Sequence, residues 1–186
     1  MKVRDAGWRA AYIVAAIAML LVDQATKAWA VRRLRFGNDI TVINNFLAFT
    51  YAENTGIAFG GFQGAGDWGR WILVGLAAAA AVGVFYYFWR TPLDNDRTLG
   101  ACALLFAGIW GNLMDRVRLG YVVDFILLHA GDYHWPVFNV ADACICAGAL
   151  LLALDIFFEG KKSARHAVAL TQELPRGEEA AEGKAR

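Results

Sequence analysis

Four segments of this chain, residues 10–31, 71–89, 98–114 and 136–158, are each apolar over nearly the length that a helix needs to cross a bilayer. That length is about 20 residues, and hydrocarbon offers no partner to a bare backbone N–H or C=O, so runs of this length read as spanning helices. The chain is therefore expected to be an integral membrane protein, mainly α, with four transmembrane helices. Composition agrees: 58% of the 186 residues are hydrophobic and 19% charged, with mean hydropathy +0.39, too apolar for a soluble domain of this size. Net charge is +1 with Lys and Arg spread along the chain, which sets nucleic acid aside as a partner. The first run, after Lys2, Arg4 and Arg9, has the look of a cleavable leader. Asp23 and Lys27 inside it, and three further runs, argue for a retained span instead.

The connections differ in kind. Residues 39–62, "DITVINNFLAFTYAENTGIAFGGF", are rich in β-branched and aromatic side chains around an Asn44-Asn45 turn signal, and predict a small β-sheet. Phe46, Phe49, Tyr51, Phe59, Phe62, Trp68 and Trp71 suit either the membrane interface or sheet packing. The outer connection, residues 116–135, holds an apolar piece too short to span and reads as an interfacial helix or loop. "RTPLDNDR" between the second and third runs is a polar turn. Residues 161–186 are charged, mixed in sign and poor in aromatics, and are expected to be a disordered tail. With four spans both termini share one side. Eight basic residues there (Lys2, Arg4, Arg9, Arg90, Arg97, Lys161, Lys162, Arg165) against six opposite (Arg32, Arg33, Arg35, Arg70, Arg116, Arg118) favour cytoplasmic termini, with the Arg32-Arg33-Arg35 cluster pulling the other way.

A charge at the centre of a membrane helix costs about 2.5–3.5 kcal/mol on insertion scales, so each one needs a reason. Asp23 and Lys27 are four apart, acid first, the favourable order for an ion pair on one helix face, and read as a structural pair. Asp115 and Arg116 are adjacent and do not face each other, so they take different partners or cap the helix end. Arg116 either clamps a carbonyl or head group or snorkels to the interface. Asp124 and Asp142 have no basic residue within a helical turn. Two carboxylates brought together share a proton and split into an acid and a base. That pair can activate water against an amide without a metal, or relay protons.

Other chemistries lack their residues. The chain has a single serine, Ser163, outside the spans, and no G-x-S-x-G elbow. Cys102, Cys144 and Cys146 are odd in number and lie in apolar runs, where they read as small packing residues. Cys144-x-Cys146 has no second ligand pair and none of His129, His134 and His166 falls in a span, so neither metal nor cofactor is expected.

Five motifs in order, "DQATK" (Asp23–Lys27), "ENTGIAF" (Glu53–Phe59), "GNLMDR" (Gly111–Arg116), "VVDFI" (Val122–Ile126) and "FNVAD" (Phe138–Asp142), resemble signal peptidase II, the bacterial lipoprotein signal peptidase. The resemblance covers roughly residues 8–160. It implies a peptidase domain over residues 1–160 and an inner-membrane aspartic endopeptidase with Asp124 and Asp142 as its catalytic dyad. The substrate it implies is a prolipoprotein carrying diacylglyceryl on a cysteine, cut on the amino side of that cysteine. Asn54, Gly56, Asn112, Arg116 and Asn139 match positions that line or support the site, and Asp23, Lys27 and Asp115 match structural polar ones. A periplasmic site under a β-cradle, contact with membrane phospholipid, inhibition by globomycin-type cyclic peptides and action as a monomer follow as further expectations. Trp110 stands where a smaller residue is expected. The residues alone leave room for two rivals: a proton-coupled carrier, disfavoured by the lack of an internal repeat, and a scaffold whose charges serve helix packing.

Overall fold

The computed structural model describes residues 6–56 and 66–173. Lys2, Arg4, Phe59, Phe62, the far end of the 39–62 segment and residues 174–186 lie outside them. The order is α1 (Ala6–Leu34), β1 (Ile40–Ile43), β2 (Leu47–Asn54), α2 (Gly66–Arg90), α3 (Asp96–Arg118), β3 (Val122–Ala130), β4 (Tyr133–His134) and α4 (Val140–Glu173). All four helices are long and apolar enough to cross a membrane.

The bundle is arranged around α3. Most of α3 is buried, whereas α1, α2 and α4 turn Ile13, Leu21, Leu76, Val82, Leu150 and Ile156 outward, the distribution expected where the solvent is lipid. The closest packing is between α3 and α4, and glycine permits it. A Cβ on Gly108 would run into the Ala141 carbonyl, and one on Gly148 would lie 2.8 Å from Leu105 Cγ and 2.9 Å from the Ala101 carbonyl. Small residues at such crossings let backbones approach where no hydrophobic effect drives helices together. Trp110 does not disturb this seam, because it is partly exposed and tilts against Phe106.

Helix ends are satisfied by named groups. Arg9 donates to the Phe88 and Thr91 carbonyls at the end of α2, covering acceptors that the helix itself cannot reach. Asn95 caps α3 by accepting from Thr98 N–H at 3.1 Å. Gly120, at φ 89°, follows the end of α3 in the left-handed conformation that favours glycine.

The sheet is antiparallel in the order β1-β2-β3-β4. Residues 122–130, expected as an interfacial helix or loop, form β3 instead. Their β-branched and aromatic residues fit a half-buried pleated surface, β2 offers them a partner from Leu47 to Asn54, and Phe125 packs edge-on to Trp29. Between Phe49 and Ala52 the register shifts, so β2 carries one residue more than β3 does between Ile126 and Asp124. This is a β-bulge beside Asp124. The fourth helix starts at Val140, not near Pro136, because Phe138 is held in the sheet: its N–H donates to the Ile126 carbonyl, and its carbonyl accepts from Ile126 N–H at 2.8 Å. At its other end α4 continues to Glu173, so residues 161–173 are helical where disorder was expected. From Lys161 to Glu173 there is neither Gly nor Pro, and an existing helix propagates through good helix formers more easily than it nucleates.

Gly108→Val is expected to force α3 and α4 apart at a cost of about 1–3 kcal/mol or more. Gly83→Ala, with nothing within 4 Å of the added Cβ, is expected to leave stability unchanged or raise it by up to about 1 kcal/mol. Thermal unfolding of both variants in detergent checks the contrast.

Candidate active site

The start of α4 is a closed set of hydrogen bonds. Asn139 is its N-cap, since its carbonyl accepts the first helical bond, from Ala143 N–H. Asn139 Oδ1 accepts from Asp142 N–H at 2.9 Å, and Asp142 Oδ2 accepts from Asn139 N–H at 3.2 Å. This is a capping box with Asn and Asp in place of Ser and Glu. A further amide of the first turn, Ala141 N–H, is taken by Asp23 Oδ1 of α1 at 2.8 Å. Asp142 therefore sits at the mouth of an apolar run because a helix start exposes donors there, and a carboxylate among them is stabilised.

Below this mouth lies a buried ion cluster. Lys27 Nζ is 3.0 Å from Asp23 Oδ2 and 2.9 Å from Asp115 Oδ2, with all three residues at most 4% exposed. Gln24, which sequence reasoning passed over inside "DQATK", donates to Asp23 Oδ2 and Asp115 Oδ1, both at 3.2 Å. Asp115 Oδ2 also accepts from Val123 N–H at 3.3 Å, so one carboxylate ties α1, α3 and the start of β3.

Three asparagine amides hold Asp124 and Asp142, two of them linked to the cluster, and each is oriented by a group that can only donate. Lys27 Nζ donates to Asn112 Oδ1 at 2.9 Å, which leaves Asn112 Nδ2 to donate to Asp142 Oδ1 at 2.7 Å. Asp142 N–H holds Asn139 Oδ1, so Asn139 Nδ2 donates to Asp124 Oδ1 at 2.6 Å and to Asn112 Oδ1 at 3.2 Å. Gly56 N–H holds Asn54 Oδ1 at 3.0 Å, and Asn54 Nδ2 donates to Asp124 Oδ2 at 2.9 Å. Every carboxylate oxygen of Asp124 and Asp142 thus accepts an N–H, and none can be traded by flipping an amide without setting donor against donor.

Asp124 is 2% exposed. Burial first, then the charge of Asp142, raises its pKa to about 6 in spite of the two amide donors. Asp115 and Arg116 diverge: the former faces Lys27, while Arg116 Nη2 donates to the Gly56 carbonyl at 2.7 Å. Arg70 secures this end of α3 by donating to the Arg116 and Val117 carbonyls.

Asn54, Asn112, Arg116, Asp124 and Asp142 line one cleft of about 850 Å³, whose remaining walls include Ile109, Leu128, Trp135 and Ile145. A mostly apolar cleft with a few convergent polar groups is the ordinary form of a ligand site. Cys146 also lines it and is exposed, unlike Cys102 and Cys144, so it is not the buried packing residue that its apolar run implied. Among the described residues no group of three or more His, Cys, Asp or Glu has metal-binding geometry. At the opposite end of the bundle, Asp155 is buried and accepts from Asn95 Nδ2 and Thr98 Oγ1. Its signal was the same as that of Asp142, a carboxylate in an apolar run.

The chain matches the family model described as signal peptidase (SPase) II over residues 15–158. It is 42% identical to the lipoprotein signal peptidase of Teredinibacter turnerae over 151 residues, 81% of this chain and 89% of that protein. It is 40% identical to that of Clostridium novyi, over 76% of this chain and 94% of the relative. Among solved structures, a bacterial membrane enzyme determined by the in meso method at 2.3 Å resolution superposes with TM-score 0.71 at 28% identity, over 82% of this chain and 91% of that one.

Lys27→Met leaves two buried carboxylates facing each other and is expected to cost about 3–5 kcal/mol of stability, read as a large fall in unfolding temperature. A second expectation concerns pH. A carboxyl whose folded pKa is raised binds more protons folded than unfolded, so its stabilisation is full below about pH 4 and is lost as pH rises through about 6. The unfolding temperature of Asp124→Asn relative to the native protein should therefore climb across that window and level off above it. A difference that stays flat from pH 4 to 8 would contradict the raised value.

Proposed function

The chain belongs to the signal peptidase II family, and on that premise we propose that it is a membrane aspartic endopeptidase with Asp124 and Asp142 as its dyad. It removes the signal peptide of a diacylglyceryl-modified prolipoprotein, cutting on the amino side of the lipidated cysteine. The observation that carries this reading is Asn139, which donates to Asp124 through its side chain and to Asp142 through its backbone. Two carboxylates sharing one residue as a donor are held as a pair, and a pair with one proton supplies an acid and a base together.

The ionised carboxylate takes a proton from water as the water oxygen attacks the scissile carbonyl, and the neutral carboxyl donates toward the oxygen that becomes negative. Collapse of the tetrahedral intermediate then returns a proton to the leaving amine. The raised pKa of Asp124 keeps a proton within reach near neutral pH. Asn54, Asn112 and Asn139 hold the carboxylate oxygens, Arg116 steadies the backbone at Gly56, and Asp23, Lys27 and Asp115 brace the helix ends behind them. The apolar walls of the cleft suit a substrate that arrives through the bilayer with its signal helix and acyl chains. A dyad at the head of α4 has water at hand, which a dyad at mid-membrane would lack. In this reading the termini are cytoplasmic, the cleft opens on the periplasmic side of the inner membrane beside phospholipid, the chain acts as a monomer, and globomycin-type cyclic peptides occupy the cleft.

Purified protein in detergent is mixed with a diacylglyceryl-modified prolipoprotein and followed by gel shift, with Asp124→Asn and Asp142→Asn compared at matched helicity. Each variant is expected to lose at least about a thousandfold in turnover while substrate binding persists. Turnover near the native rate in either variant removes that residue from the dyad.

A further inference from the structure

Two imidazoles face each other on the β3–β4 hairpin, on residues that the carboxylate site does not use. His129 and His134 are direct cross-strand partners, their ring centroids 5.5 Å apart and their planes within 17°. The turn between them, Ala130-Gly131-Asp132-Tyr133, has Gly131 at φ 58° in the first central position of a two-residue hairpin loop. Trp135 N–H donates to the Leu128 carbonyl at 2.8 Å, so Leu128 and Trp135 form a hydrogen-bonded pair and His129 and His134, next along the ladder, a non-hydrogen-bonded one. That is the pairing in which facing side chains come closest. The hairpin tip is anchored from outside, Gly131 N–H donating to Asn45 Oδ1 at 2.7 Å and His129 N–H to the Phe46 carbonyl at 3.0 Å.

The ring separation suits a shared metal ion. A divalent zinc sits about 2.0–2.1 Å from an imidazole nitrogen, hence roughly 3.2 Å from the ring centre, and two such rings at a tetrahedral angle have centres about 5.2 Å apart. The observed 5.5 Å is close to that separation, and because the rings now stack with their planes within 17°, a shared ion requires both imidazoles to turn about their side-chain bonds until their in-plane lone pairs converge. Local charge favours a cation, since no Lys or Arg occurs from Leu119 to Trp135 and the turn carries Asp132. The sequence gives no hint of this, because His-x4-His has no finger or helical ligand spacing and only hairpin closure sets the two opposite each other.

We propose that His129 and His134 together chelate a divalent transition-metal ion of the zinc type, water completing its coordination. Successive residues of a strand point to opposite faces, so Leu128 and Trp135, which line the cleft, lie on the other side of the hairpin from the histidines. β4 is two residues long, and a metal joining β3 to β4 stiffens the wall that carries Trp135 without obstructing the cleft.

The test uses the full chain in detergent, freed of any affinity tag and titrated with Zn²⁺ by calorimetry, beside His129→Phe, His134→Phe and the double variant. Phenylalanine keeps a ring-on-ring pair across the hairpin while removing the nitrogens, so a loss of binding is not a loss of the hairpin. One ion per native chain with micromolar affinity is expected, weakened at least about tenfold in each single variant and absent in the double. Amide hydrogen exchange over residues 131–135 should slow with Zn²⁺ in the native chain alone. Equal uptake by the native chain and the double variant, or no uptake by the native chain at micromolar Zn²⁺, overturns the site. Uptake with unchanged exchange overturns the clamp.

Discussion

An ammonium group has only donors to offer, and at Lys27 that limit propagates through the whole site. Buried between Asp23 and Asp115, it turns the Asn112 oxygen toward itself and so turns the Asn112 nitrogen toward Asp142. Asp23, held by the same ammonium, reaches the first turn of α4 and fixes where that helix begins. Asp115 does the like for β3 through Val123. Helix start, strand start and amide orientation are thus consequences of one cation placed below the carboxylates. Buried charges are weak sources of net stability but strict about geometry, and through Asn112 and Asn139 that strictness reaches Asp124 and Asp142.

Membrane physics explains why the site lies where helix gives way to sheet. A strand edge left bare in hydrocarbon would strand backbone polar groups, so the four-stranded sheet gathers at one end of the bundle, between the end of α1 and the start of α4. Exposed aromatic residues there, among them Phe36, Phe46, Tyr133 and Trp135, are of the kind that settles at a membrane surface. At that boundary Asp124 is buried beside the apolar walls of the cleft, which raises its pKa.

Much of this was legible in the residues, and what was not shares a cause. The spans follow from apolar length, and Asp124 and Asp142 stand out because no base lies within a turn of either. β3 is not legible as a strand because "VVDFILLHA" finds its partner in β2 roughly 70 to 80 positions away, and pairing over such a distance leaves no local trace. The same holds for Lys27, whose second carboxylate is Asp115 and whose amide acceptor is Asn112. Gly108 and Gly148 look like ordinary small residues until the backbones they admit are seen. Local signals gave the elements; the contacts that orient the site join elements far apart in the chain.

The extra residue in β2 has a meaning of its own. Before it, Leu47 and Phe49 stand opposite Leu128 and Ile126; after it, Ala52 and Asn54 stand opposite Asp124 and Val122. Odd-numbered residues share the face of Asp124's side of β3 before the bulge, even-numbered ones after it, and only this change of parity brings Asn54 onto the same face as the carboxylate it holds. A regular ladder through Thr50 and Tyr51 with every residue kept would set Glu53 opposite Val122 and turn the Asn54 amide to the other face, although every side chain named in the site would still be present. What this strand has to keep is a break in its own regularity as much as a composition.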